Sequence, residues 1–227
     1  MGVRVLHRED GRGLSVEGTL ASLYRPGELL TGGVWDALGA PVCALERRER
    51  MLLVGLGGGS VARLLRAAAP SASIVGLEID PEVVQAARAH FDLDTLELDV
   101  RVQDARLFLA ADRGVYDLIV EDLFAGGEEG LNKPPWLPEP GLDLLTPRLA
   151  EDGLLVVNTV HDAPEVERAL CARYENVVRI ELLDCTNHVF VASRRPITAR
   201  GLRRVIQRDA LFRRALPNLR MRTVRSL

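Results

Sequence analysis

Lysine is almost missing from this 227-residue chain: of its 29 basic residues only Lys133 is a lysine. Such an arginine bias lowers the weight of any single arginine as a functional marker. Cysteine is scarce too. Cys43, Cys171 and Cys185 are odd in number, lie far apart and form no CxxC pair, so neither a disulfide framework nor a zinc site is expected, and no other metal set stands out. No apolar run reaches the roughly 18 residues that a bilayer span requires, and the opening MGVRVLHREDGRG lacks the apolar centre of a signal peptide. The expectation is a cytoplasmic protein with no membrane partner. Nor does GKS or GKT follow the glycine-rich stretch at 55–59, which argues against a phosphate-binding P-loop.

What is present is a globular composition, 47% hydrophobic and 27% charged, sufficient for one α/β core and a small appendage. The charge is uneven. Residues 194–227 hold eleven arginines against one aspartate, about +10, which leaves about −13 on the preceding 193 residues. Leu202, Val205, Ile206, Phe212 and Leu216 recur at helical spacing in this tail. It is expected to pack as an amphipathic helix with a solvated arginine face, a reading favoured over nucleic-acid contact.

Along the chain, VRVLHRE, LSVEG and LASLY read as a small β-meander or hairpin over residues 1–30, and residues 31–227 read as the main domain. A helix is expected around VWDALGAP. Strand and helix then alternate: RMLLVGL, SVARLLRAAAP, SIVGLEI, DPEVVQAARAHF, LELDVRVQ, DARLFLAA and YDLIVEDLF. Asp80 and Pro81 mark a helix start. The stretch at 125–141 is too rich in Gly, Pro and Glu for a regular element, LDLLTPRLAEDG is expected to be helical or part-helical, and LLVVNTV is a strand followed by the helix APEVERALCARYE. VVRIELL and HVFVAS close the pattern as an antiparallel hairpin. This order predicts a mostly parallel, Rossmann-like sheet with helices on both faces and an antiparallel ending, a combination that suits an S-adenosylmethionine fold.

Within that frame LLVGLGGGSVARLL places Gly55, Gly57, Gly58 and Gly59 between the first sheet strand and its helix, where backbone approaches a ligand closely. Ser60 at the sixth position meets the dinucleotide fingerprint only loosely. Glu78 ends the next strand about 20 residues on, where a carboxylate can accept from both ribose hydroxyls. Asp104 ends the third and can accept from an adenine amino group, or cap the helix that follows. Three positions at neighbouring strand ends converge on adenosine, with Ile79 and Ala105 beside them in the expected cofactor-binding set.

The stretches LLVGLGGGSVARLL, VGLEIDPEVV, VQDARLFL and YDLIVEDLF together resemble the spermidine synthase-like branch of the class I methyltransferase folds. The resemblance covers residues 50–160, and it extends to the N-terminal hairpin and LTGGVWDAL as that family's small β domain. It implies that the glycine loop cradles the adenosyl ligand, that Glu78 holds the ribose and Asp104 the adenine, and that Asp122 handles the acceptor amine. Two positions depart from the family pattern. Polyamine synthases carry an aspartate in the glycine loop where this chain has Gly58, and a second one three residues after Asp122, where it has Ala125.

Loss of those two carboxylates argues against a polyamine, whose cations need them; Glu128, Glu129, Glu139 and Asp143 are the substitutes at hand. The expected activity is therefore methyl transfer from S-adenosylmethionine to a small, possibly amine, acceptor. The alternatives are aminopropyl transfer from decarboxylated S-adenosylmethionine and a non-catalytic adenosyl-binding role. Asp122 is the expected aligning group and base, and His161 a second base near neutral pH. Phe124 and Trp136, with Trp35 and Tyr24 from the N-terminal side, are expected to wall the acceptor. The exposed strands of the N-terminal hairpin are the expected contact of a homodimer.

Overall fold

The computed structural model describes residues 2–124 and 132–224. The chain starts as an antiparallel meander of β1 (Val3–Arg8), β2 (Gly11–Val16) and β3 (Thr19–Tyr24), one strand more than a hairpin. Glu17 and Gly18, at φ 49° and 84°, form the turn between the second and third strands. Two consecutive left-handed residues match the strand twist, which is why such turns join hairpins. Leu14 of β2 is buried against Val83 and Phe91, so the small sheet has a core contact of its own.

A helix, α1 (Val34–Gly39), leads into the main sheet. There β4 (Arg50–Val54), α2 (Ser60–Ala68), β5 (Ser73–Glu78), α3 (Pro81–His90), β6 (Asp99–Val102), α4 (Ala105–Ala111) and β7 (Tyr116–Glu121) alternate as the apolar periods predict. The short α5 (Gly141–Leu145), β8 (Leu149–Thr159), α6 (Ala163–Cys171), β9 (Asn176–Leu182), β10 (His188–Ser193), α7 (Ala199–Arg208) and β11 (Leu219–Val224) complete it. The eight strands lie in the order β11-β9-β10-β8-β7-β4-β5-β6. Strands β4 to β8 pair in parallel, while β10 runs antiparallel to both β8 and β9. Two apolar layers cover the sheet. One packs α1, α2 and α7 through residues such as Leu38, Leu64 and Ile206, and the other packs α4 to α6 through Leu109, Leu145 and Leu170.

This is the α/β class and the antiparallel ending that the sequence predicts, with two corrections. Residues 149–153 are strand and not helix: Leu149 pairs with Tyr116 across a register shift, and sheet pairing overrides the local helical composition. The arginine-rich tail is not one helix either. α7 stops at Arg208, Phe212 and Leu216 fall in two separate 3-10 turns, and β11 adds an antiparallel edge strand beside β9. Pro217 cannot continue a helix, and LRMRTV alternates with the period of a strand. No helix among the described residues is long and apolar enough to cross a membrane.

The chain moves from β4 outward to β5 and β6, then returns to β7 on the other side of β4. Such a reversal opens a crevice at the carboxyl ends of the strands, where open α/β sheets bind their ligands.

Candidate active site

Backbone hydrogen bonds tie the strand ends into a continuous rim. The Asp122 amide donates to Val54 (2.8 Å), Gly55 to Leu77 (3.1 Å) and Gln103 to Glu78 (2.9 Å). At Gly55, φ is 97° and a Cβ would stand 2.6 Å from the Asp122 carbonyl oxygen. Only glycine fits a turn this close to its neighbour. Gly57 and Gly59 are left-handed as well.

The glycine loop is held from two sides. From β5, the half-buried Glu78 accepts the amides of Gly57 (2.9 Å), Ile79 (2.9 Å) and Asp80 (3.2 Å). Burial pushes its carboxyl up, and these three donors oppose that. From β3, the buried Ser22 hydroxyl accepts the Gly58 amide (2.7 Å), and the Ser60 hydroxyl donates to the carbonyl of Leu23 (2.8 Å) and accepts its amide (3.0 Å). The small sheet is therefore stitched to the loop. Further along the rim, Ile79 presents an apolar side chain that is 64% exposed. Asp104 caps α4 through the Arg106 amide (2.7 Å), with Ala105 buried behind it.

At the end of β7 the half-buried Asp122 accepts one hydrogen bond, from Asn158 Nδ2 at 2.7 Å. Desolvation pushes its carboxyl up to about 7, with Asn158 and Lys133 pulling the other way and Glu121 and Glu78 adding to the rise. Next to it Glu121 and Lys133 form a buried ion pair, 1% and 2% exposed, with Nζ 2.8 and 2.7 Å from the two carboxylate oxygens and 3.0 Å from the Leu123 carbonyl. The Phe124 ring lies under that ammonium, 4.7 Å away.

The remaining sequence-predicted residues have other settings. His161 is exposed on the turn after β8, next to Asp162, which accepts the Lys133 amide (2.7 Å). Trp136 packs against the α4–α6 layer, and Trp35 is buried in the opposite one. Tyr24 gives its hydroxyl to Asp92 and its ring face to Arg63 at 4.3 Å, so both its polar and its π surfaces are engaged. Glu139 and Asp143 pair with Arg173. Ala125, Glu128 and Glu129 lie outside the described residues.

Residues 51–125 match a family model described as a methyltransferase domain. A probable polyamine aminopropyl transferase from Bifidobacterium longum is 36% identical over 96 residues, which are 42% of this chain and 21% of that protein. The match therefore spans about a fifth of that relative's length. A probable spermidine synthase from Corynebacterium glutamicum superposes with a TM-score of 0.76 at 20% identity, over 97% of this chain and 86% of the other. Human methyltransferase-like protein 13, in complex with SAH, gives 0.69 at 22% identity over 82% and 93%. The fold is that of a spermidine synthase-like class I methyltransferase.

In this methyltransferase fold the rim residues fit an adenosyl ligand on their own chemistry. Glu78 keeps acceptor capacity beyond its three amides, since an ionised carboxylate offers about four lone-pair sites. Ile79 offers an unpartnered apolar face to a base. Asp104 uses only Oδ1 on its helix, leaving Oδ2 without a protein partner among the described residues.

Sequence reasoning overlooks Ser22, Glu121, Lys133, Asn158 and Asn187. Two of these carried a signal. Asn158 is the polar residue inside the apolar run LLVVNTV, and a buried amide must have partners. Lys133 is the one lysine of a chain that otherwise uses arginine.

Proposed function

We propose that this chain is an S-adenosylmethionine-dependent transferase that moves a methyl group to a small acceptor, with Asp122 as the acceptor-facing carboxylate. The observation that carries the choice of methyl over aminopropyl is Gly58. The resemblance to polyamine synthases implies an aspartate there, whose charge selects the decarboxylated cofactor. In this chain a Cβ at 58 would stand 2.8 Å from Ser22 Cβ and 3.2 Å from the Phe91 ring. The position is closed to a side chain, and a neutral hydroxyl occupies its amide. Nothing at this point of the loop repels the carboxylate of the intact molecule.

When bound, the cofactor supplies a carbon already activated by an adjacent sulfonium, so the protein's task is orientation and proton removal. Glu78 would hold the ribose hydroxyls, Ile79 would cover one face of the base, and Asp104 with Ala105 would border the adenine edge. Asp122 would align the acceptor and take the proton that an amine loses. A carboxyl near 7 suits that work, because a base must be ionised at the working pH yet basic enough to accept.

A second reading, aminopropyl transfer from the decarboxylated cofactor, is favoured by the similarity to the probable aminopropyl transferase of Bifidobacterium and the probable spermidine synthase of Corynebacterium. Calorimetry with both nucleosides separates the two. Tight binding of S-adenosylmethionine is expected; tight binding of the decarboxylated compound alone overturns methyl transfer and supports the second reading. A third, a non-catalytic adenosyl-binding role, is ruled out by product formation that disappears in Asp122→Ala while nucleoside binding persists.

A further inference from the structure

Asp122 stands at the end of a relay that crosses three strands. Asn187 lies in the connection between β9 and β10, immediately before His188, and its Nδ2 donates to Asn158 Oδ1 at 3.0 Å. Asn158, on β8 and 2% exposed, turns its Nδ2 to Asp122 Oδ1 at 2.7 Å. No partner of Asp122 Oδ2 occurs among the described residues. An amide side chain has its acceptor at one branch and its donors at the other. A flipped Asn158 would therefore set oxygen against the Asp122 carboxylate and two NH2 groups against each other.

We propose that Asn187 is a positioning residue for Asp122, acting through Asn158: it fixes which way the Asn158 amide faces, and thereby binds one carboxylate oxygen while leaving the other for the acceptor. The role of Asp122 in this statement rests on the transferase reading above; the relay itself does not. It gives the C-terminal hairpin, which sits two strands from β7, a part in the site. It also explains a buried polar residue near the end of β8. Without Asn187 the Asn158 oxygen would be buried and unpaired, and the amide would lose the contact that holds its donor on Asp122.

Among the described residues, three charged groups face Asp122 besides the relay: Lys133, which favours its ionised form, and Glu121 and Glu78, which oppose it. They come from the segment after β7, from β7 itself and from β5. All three stay in place in the Asn187 and Asn158 variants, so a change in titration reports the relay alone.

The test is a carbon-13 carboxyl NMR titration of the ligand-free protein with labelled aspartate, the Asp122 signal being assigned by its loss in Asp122→Asn. A hydrogen bond to a charged group corresponds to about one to two pH units. Asn158→Ala is therefore expected to raise the midpoint by about that much. Asn187→Ala is expected to raise it by a smaller amount. Asn187→Leu, which is close in size and uncharged but has no donor, is expected to raise it as well and stands in should the alanine variant fail to fold. An unchanged midpoint in the Asn187 variants overturns the proposal, whether or not Asn158→Ala shifts. In transferase assays the rising limb of the pH–kcat profile should move with the midpoint while the cofactor KM stays constant. A shifted titration in a protein that transfers nothing would leave the relay standing and reject the transferase reading.

Discussion

Removing the Lys133 ammonium is the sharpest test of how the acceptor side is built. Lys133→Met keeps most of the stem and deletes the charge, stranding the Glu121 carboxylate at 1% exposure with, among the described residues, only the Leu123 amide, at 2.7 Å, as a donor. Breaking one side of a buried pair costs about 3–5 kcal/mol. For a chain of this length that is a fall in melting temperature of roughly 6–20 °C. The loss must also depend on pH. Glu121 is already raised by burial and pulled down by Lys133; without the cation its folded value rises further, while the unfolded value stays near 4.3. Between those two values the folded state keeps a proton that the unfolded state has lost. Stability of the variant then falls by about 1.4 kcal/mol per pH unit as pH rises, and levels off once Glu121 ionises in the fold.

Urea unfolding at pH 5 and pH 8 measures both effects. Lys133→Met should be much closer to wild type at pH 5 than at pH 8, and adding Glu121→Gln should recover most of the deficit, with a coupling of about 2 kcal/mol or more. A loss below about 1 kcal/mol at pH 8, or an equal loss at both pH values, refutes the claim that a desolvated charge pair anchors this end of β7.

Gly58→Asp should lower stability by about 1–3 kcal/mol through overpacking against Ser22 and Phe91, and calorimetry should show no gained preference for decarboxylated S-adenosylmethionine. Glu78→Ala should weaken S-adenosylmethionine binding about tenfold to a hundredfold, the value of hydrogen bonds to a charged acceptor, again read by calorimetry. Asp122→Asn should abolish product formation and change the pH dependence of unfolding. The wild-type carboxyl titrates near 7 in the fold against about 3.9 unfolded, so it withdraws stability as pH rises through that window. The asparagine variant lacks this contribution and should be the more stable protein at pH 8 by up to about 4 kcal/mol.

Much of the cofactor side could be read from local pattern. The glycine loop and the acids at 78 and 104 sit at strand-to-helix junctions that apolar periodicity locates, and the Asp80 and Asp104 caps follow from residue type. The acceptor side could not, because its contacts join residues far apart in the chain. Asn158 and Asn187 are 29 positions apart, and Asp122 and Asn158 are 36. The same holds for the misread elements. LAEDG has a helical composition and becomes strand only by pairing with β7, while the alternation of LRMRTV is hidden behind ten residues of true helical period in α7.

The contact between Ser22 and the glycine loop bears on specificity more than any single side chain. A loop carboxylate selects its ligand by charge and needs space on the side of the loop that β3 covers here. The Ser22 hydroxyl fills that space, satisfies the Gly58 amide and carries no charge. Discrimination between cofactors must then come from groups outside the loop. Those that flank it are the acids of the rim, Glu78, Asp80 and Asp122, of which Glu78 and Asp122 are already pushed towards the neutral form by burial. An Asp122 carboxyl pushed up to about 7 carries only part of a charge near neutral pH, so it does little to repel a carboxylate and offers little to a polyamine cation. Both consequences point towards the intact cofactor and an acceptor of low charge.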